Sequence, residues 1–358
     1  MNKLPSGWQI KSLGEVARLI HGKGLSRELF KTDGMYPVFG SNGIIGYTDR
    51  YFSDEELLII GRVGACGEVN QASGKKWITD NAIIVTPNEN IDFFFLKYKL
   101  LSANLSSLKG GTSQPLITQT KLNAVQILLP PLPVQKQIAE ILEKADQAKQ
   151  KRKEANQLTE QFLQSAFIEM FGDPVKNHKG WDIKIVSDVC NNHDSKRVPL
   201  EGSVRKNRNG VYPYYGASGI IDHIDNFIYD YDAMLIAEDG ANLISRATPI
   251  AFLAKGKYWV NNHAHILTPK SNMTFDFLTY FFNSTNLQPY ITGSAQPKLT
   301  AKSLYNMQIP VPPFLLQQQF AELVQEVEAL KEKQKQTEIE LDNLFNSLMQ
   351  KAFRGELV

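Results

Sequence analysis

The side chains best suited to chemistry in this sequence are cationic and amide groups gathered in turn-rich stretches. The run Arg205-Lys206-Asn207-Arg208-Asn209-Gly210 mixes charges that neutralise phosphate with Arg and Asn forks that can bond a base edge at two points. Lys23, Arg27, Lys31, Arg62, Lys75, Lys76 and Lys109 offer similar groups earlier in the chain, and Lys298 one later. Gln114 and Gln296 sit in loops of small residues, where each could touch a ligand or simply hold its loop. Any one of these cations taken alone reads equally as a solvated surface charge.

Catalytic constellations are harder to assemble. No Gly-x-x-x-x-Gly-Lys-Ser/Thr loop is present. Val311-Pro312-Pro313-Phe314 has the outline of an adenine methyltransferase motif but lacks its polar first residue. His263-Ala264-His265 could aim two imidazoles from one strand, yet no third ligand stands nearby, so a structural role is expected for them. Cys66 and Cys190 are the only cysteines, too few for a disulfide framework or a zinc cluster. With 42% hydrophobic and 21% charged residues, the 358-residue chain has an ordinary globular composition. It has no apolar run near the ~18–20 residues of a membrane span and no apolar signal core, so a cytoplasmic location is expected. A net charge of +2 does not by itself point to nucleic acid.

The elements that must position these groups are written twice. Gly7-Trp8-Gln9-Ile10-Lys11 returns as Gly180-Trp181-Asp182-Ile183-Lys184, and Tyr36-Pro37-Val38-Phe39-Gly40 as Tyr212-Pro213-Tyr214-Tyr215-Gly216. From Trp77 and Trp259 onward the copies align without a gap, with roughly two positions in five identical as far as Pro131 and Pro313. Within each copy, Leu57–Ile60, Ala82–Val85, Val125–Leu128 and Ala233–Ile236 read as strands, and Phe93–Leu105 and Phe275–Leu287 as helices. The fold class is therefore α+β.

Each copy then meets a proline stop, Pro130-Pro131 or Pro312-Pro313, followed by a long stretch free of Pro and Gly. Phe320, Leu323, Val327, Leu330, Gln334, Thr337, Leu341, Leu344 and Leu348 fall on a heptad seam. The same register gives Ile138, Ile141, Ala145, Ala148, Arg152, Ala155, Thr159, Phe162 and Ala166 in the first copy. Two equal seams in one chain predict an antiparallel two-helix coiled coil. The expected organisation is a globular domain over 1–131, a helix over 132–172, a second domain over 173–312 and a second helix over 313–358. A pseudo-two-fold axis would relate the two domains across the paired helices.

This order of parts resembles the specificity subunits of type I restriction–modification enzymes. The likeness lies in Gly7-Trp8, Gly111-Thr112-Ser113-Gln114, Pro130-Pro131-Leu132-Pro133-Val134-Gln135, and Gln350-Lys351-Ala352-Phe353-Arg354-Gly355-Glu356-Leu357. The second copy departs from it at Gly293-Ser294-Ala295-Gln296, which puts an identical role for the two Gln loops in doubt. The resemblance implies two target-recognition domains that read an asymmetric, bipartite site on double-stranded DNA. It implies no catalysis by this chain, and no cofactor or metal of its own. Two methyltransferase subunits would bring S-adenosylmethionine for adenine-N6 methylation, and restriction motor subunits would bring ATP and magnesium. The candidate DNA contacts are then Lys23, Arg27, Arg62, Lys109, Gln114, Arg205, Lys206, Arg208, Asn209, Gln296 and Lys298. Segments 22–35 and 194–211 diverge most between the copies, as loops reading different base sequences would. A non-catalytic scaffold, with two interaction domains on a coiled-coil spacer, remains the alternative.

In this arrangement the helices set the distance between the reading domains. Four residues inserted near Ala148–Ala155 would lengthen the helix by ~6 Å. Methylome sequencing of the variant should then show a spacer longer by roughly two base pairs at ~3.4 Å each, with both half-sites unchanged. Altered half-sites would refute the arrangement.

Overall fold

The computed structural model describes residues 5–110, 115–293 and 296–358. The chain forms two compact units, one of Met1–Lys153 with Gln336–Val358, the other of Glu154–Lys335. Each mixes strands and helices, and the two share one plan.

In the first unit the apolar run at 57–60 becomes the buried strand Leu57–Gly61. It lies inside an antiparallel sheet ordered Ala17–His21, Ala82–Pro87, Leu57–Gly61, Val69–Ala72. The second unit repeats this as Cys190–Asn192, Ala264–Pro269, Ala233–Ala237, Ala251–Ala254. Continuous apolar runs suit strands covered on both faces. Leu58 pairs with Val85 and Met234 with Leu267, so the registers correspond. A hairpin stands beside each sheet: Tyr36–Gly40 with Gly43–Thr48, and Asn209–Gly216 with Gly219–Ile224. Gly43 (φ +81°) and Gly219 (φ +122°) take up the left-handed backbone of the turn. A two-stranded ladder ties the start of each repeat to the strand before its prolines, Gln9–Ser12 to Gln126–Leu129 and Asp182–Ile185 to Gln308–Val311.

The expected side helices form as Phe93–Ser102 and Phe275–Ser284. Asp92 and Thr274 cap them by accepting from the Phe95 and Phe277 amides. The long helices follow the prolines as Leu132–Phe171 and Phe314–Arg354. One turn in, a buried glutamine fastens each to its domain. Gln135 donates to Pro130 O (2.9 Å) and accepts from the Asp92 amide (2.9 Å). Gln317 donates to Pro312 O (2.9 Å) and Asn272 O (3.1 Å), and accepts from the Thr274 amide (3.0 Å). The glutamine thus bonds both the proline turn and the cap of the side helix.

Within each unit the long helices run antiparallel. In the first, Lys149 pairs with Asp342 at 2.8 Å, and Tyr98 and Phe95 pack on Phe345 and Phe353. In the second, Lys331 pairs with Glu160 at 2.9 Å, Gln334 donates to Thr159 at 3.0 Å, and Phe320 packs on Phe167 and Phe171.

The seam differs from the expected one at every second position. Val324 and Val327 are buried, whereas Leu330 and Leu344 are 47% and 50% exposed. On the first helix Leu142 and Leu163 are fully buried, while Phe162 is 50% exposed. The true heptad therefore runs Phe320, Val324, Val327, Lys331, Gln334 in the second unit and Leu341, Phe345, Leu348, Ala352 in the first. The reason is Lys149 and Lys331, which make the real seam look poorer in apolar residues than the row beside it. Each lays its aliphatic stem in the seam and pairs its ammonium at the rim. Burial alone would lower the Lys331 ammonium, but the Glu328 and Glu160 carboxylates hold it above its ordinary value.

Leu163→Ala should therefore cost ~2–5 kcal/mol of stability, and Phe162→Ala less than ~1 kcal/mol. Urea unfolding followed by circular dichroism measures both; equal losses would contradict the register.

Candidate nucleic-acid interface

Four loops meet at one edge of each unit, and main-chain bonds hold them in the same frame. In the first unit the Arg62 amide donates to Asn81 O (2.9 Å), and Arg62 O accepts from the Ile117 amide (2.9 Å). In the second the Glu238 amide donates to His263 O (2.8 Å), and Glu238 O accepts from the Leu299 amide (2.7 Å). Val63 bridges to Leu116, and Asp239 to Lys298. The hairpin turn joins this edge in the first unit through Ser41 Oγ, which donates to Asn81 O at 2.7 Å. In the second unit the Asn261 amide donates to Tyr215 O at 3.0 Å, bringing the hairpin to the same place.

The frame therefore aligns Arg62 with Glu238, Val63 with Asp239, Asn81 with His263, and Leu116 with Lys298. The side chains at these positions are dissimilar. Arg62 Nη1 donates to Asp80 O at 3.3 Å, and its Nε has no partner among the described residues. In the second unit Glu238 takes Arg197 at 2.6 Å and Lys298 at 3.1 Å. Asp239 takes His263 Nδ1 through both oxygens, at 3.0 and 2.9 Å.

Below this edge His265 is fully buried, with Nδ1 2.7 Å from Asp194 and Nε2 2.8 Å from Leu299 O. It ties the strand Ala264–Pro269 to both neighbouring loops, the structural part expected of it. Burial alone would push the Asp194 carboxyl up, but the His265 bond and charge, the Ile266 amide and Arg197 hold it below its ordinary value. Burial likewise opposes the Glu238 carboxylate, and Arg197, His265 and Lys298 outweigh it. Among the described residues no group of three or more His, Cys, Asp or Glu could hold a metal ion.

Of the residues singled out in the sequence, Arg62, Gln296 and Lys298 lie at this edge, with Lys109 exposed at the foot of the loop that ends at Leu116. Gln114 falls outside the described residues. Lys23 is fastened beside the edge by its amide on Ile78 O (2.8 Å), with its ammonium 5.1 Å from the Phe52 ring centre. Arg27 is exposed on the short turn Arg27–Leu29. Lys31 pairs with Asp49, and Lys76 is buried, donating to Gly74 O at 2.7 Å.

The run at 205–210, expected as a turn-rich stretch, is held in regular elements instead. Gly202–Lys206 is a helical turn, and Asn209 opens a strand. Arg205 pairs with Asp222 (3.3 Å) and covers Tyr214, while Arg208 pairs with Asp225 (2.7 Å) and covers Trp259. Both guanidinium groups thus fasten the divergent segment to its hairpin. Lys206 and Asn209 are exposed. Asp239 and His263, which pair at this edge, were not among the candidate DNA contacts expected from sequence. Their signal was the alignment of Gly61-Arg62-Val63-Gly64-Ala65 with Ala237-Glu238-Asp239-Gly240-Ala241, a constant frame with changed charges.

The chain is similar to known proteins along its whole length. It is 31% identical over 147 residues to a Haemophilus influenzae type I restriction enzyme specificity subunit, covering 41% of this chain and 37% of that one. It is 36% identical over 143 residues to the Escherichia coli EcoprrI specificity subunit, covering 38% and 35%. The aligned stretch thus spans little more than a third of these curated relatives. The type I restriction-modification S subunit from M. genitalium shares the fold, with a TM-score of 0.67 at 17% identity over 99% of this chain and 97% of that one. Residues 5–160 and 178–341 each match the family described as type I restriction modification DNA specificity domain, and the chain belongs to that family.

Proposed function

We propose that this chain is the non-catalytic, sequence-reading subunit of a type I restriction–modification assembly. Each unit reads one half of an asymmetric, bipartite site on double-stranded DNA. The single observation that carries this reading is the loop edge, where one main-chain frame bears different side chains in the two units. A shared scaffold with divergent polar groups is what two unlike half-sites require. Phosphate contacts would come from exposed cations such as Lys23, Arg27, Lys109, Lys206 and Lys298, with Asn209, Gln296 and Gln114 as further polar candidates. Arg205 and Arg208 would act mainly through the segment they fasten.

The long helices supply the second half of the proposal, docking for two adenine-N6 methyltransferase subunits that carry S-adenosylmethionine. Each unit leaves apolar side chains exposed on its long helices, Phe162 and Leu330 in one and Leu344 and Ile339 in the other. Contiguous exposed apolar patches mark interaction sites. Phe162 and Leu344 are equivalent positions in the two repeats, as two copies of one partner would need. Restriction motor subunits, with ATP and magnesium, would join the same assembly.

Methylome sequencing of the host with and without this gene tests the reading. A split adenine-methylated motif should appear only with the gene, and an unchanged methylome would overturn the proposal. Phe162→Asp and Leu344→Asp should each lower the methyltransferase content of the purified assembly from two copies to one, and together remove both. Full retention in the double variant, weighed by native mass spectrometry, would place docking elsewhere.

A further inference from the structure

The frame at the loop edge assigns a specific role to groups that the reading above leaves unassigned. His263 is held on three sides. Its amide donates to the buried Asn261 side chain at 2.8 Å, its carbonyl accepts from Glu238, and its ring is gripped by Asp239. A carboxylate can only accept, so Nδ1 carries the proton facing Asp239. The ring itself is 46% exposed, and Nε2 has no partner among the described residues. This is a locked side chain that presents one hydrogen-bonding atom outward. Such pre-orientation is needed to read a base but not to fill a surface. At the matching position the first unit has Asn81, and it presents Arg62 from the neighbouring loop, where the second has Glu238.

We propose that His263, oriented by Asp239, fixes the preference at one base pair of the half-site read by the second unit, with Arg62 doing so in the first. The inference rests on the DNA-reading function proposed above. The two sites call for opposite chemistry. Arg62 offers only donors and suits guanine, whose O6 and N7 accept in the major groove. Asp239 fixes the proton on Nδ1, so in the neutral imidazole Nε2 is the acceptor and suits a base that presents an amino group, adenine or cytosine. Asp239 is a positioning residue that acts through the ring.

The test uses the full chain, coexpressed with its methyltransferase partner, in competition binding. The competitors are duplexes substituted one base pair at a time through both half-sites. His263→Asn, which installs the first unit's residue, should lower discrimination about tenfold or more at a single base pair of one half-site. That base pair should carry adenine or cytosine on the contacted strand, and the competitor series tells which. Arg62→Gln should do the same at one guanine of the other half-site. Asp239→Asn should lose part of the same preference as His263→Asn without adding to it, and Asp239→Glu should restore it. A uniform loss across the half-site, or unchanged discrimination in a wild-type assembly that does read its site, would overturn the assignment alone. A wild-type assembly with no sequence preference would overturn the DNA-reading function itself.

Discussion

One residue in each unit, Arg62 or Glu238, is bonded through both its amide and its carbonyl to the turns on either side of it. Those bonds are independent of side chain, so the loop edge keeps its shape whatever the residue carries. A frame built from side-chain contacts would have to be redesigned with every change of residue there. This one tolerates an arginine, whose fork reaches across to Asp80, and a glutamate that collects Arg197 and Lys298. The cost of burying Glu238 is offset by those two cations, and a lone carboxylate there would be strongly disfavoured. The frame therefore permits divergence, but charge balance limits which sets of residues can occupy it together.

The frame is useful only if each domain is fixed to its helices, and a buried amide does this in both repeats. Gln135 and Gln317 satisfy a carbonyl freed by the proline turn and an amide at the cap of the side helix. Buried main-chain groups left unpaired cost about 1–3 kcal/mol each, so the glutamine replaces several penalties with bonds. Beyond it, Lys149 and Lys331 repeat the same compromise, with stems in the seam and ammonium groups on Asp342 and Glu160. These pairs are partly exposed and worth little in net stability. Their value lies in register, because a shift of one residue would strand the charge.

Cations are balanced locally elsewhere too, in a chain whose net charge is only +2. Arg205, Arg208, Arg197 and Lys31 are paired within their own units with Asp222, Asp225, Glu238 and Asp49. These cations stiffen the loops and hairpins that carry them, while Lys23, Arg27, Lys109 and Lys206 stay exposed. No helix among the described residues is long and apolar enough to cross a membrane, which agrees with the polar character of both long helices.

Much of this was legible in the residues alone. The buried strands, the proline stops and the two long helices follow from apolar runs, Pro-Pro pairs and heptad seams, which local sterics and apolar burial enforce, and the duplication from the recurrence of whole segments. Arg62, Gln296 and Lys298 stood out because cations and amides in turn-rich stretches are distinctive. The rest was decided by tertiary structure. A lysine in a seam looks polar until its stem is buried and its ammonium paired, so the sequence favoured Leu330 over Lys331. The Arg205–Arg208 run looked free because Asp222 and Asp225, some seventeen residues later, face it only once the hairpin has closed. Asp239 and His263 are 24 residues apart and ordinary as types. They become an oriented pair because two strands of one sheet end side by side, a relation that depends on register across the sheet rather than on spacing along the chain.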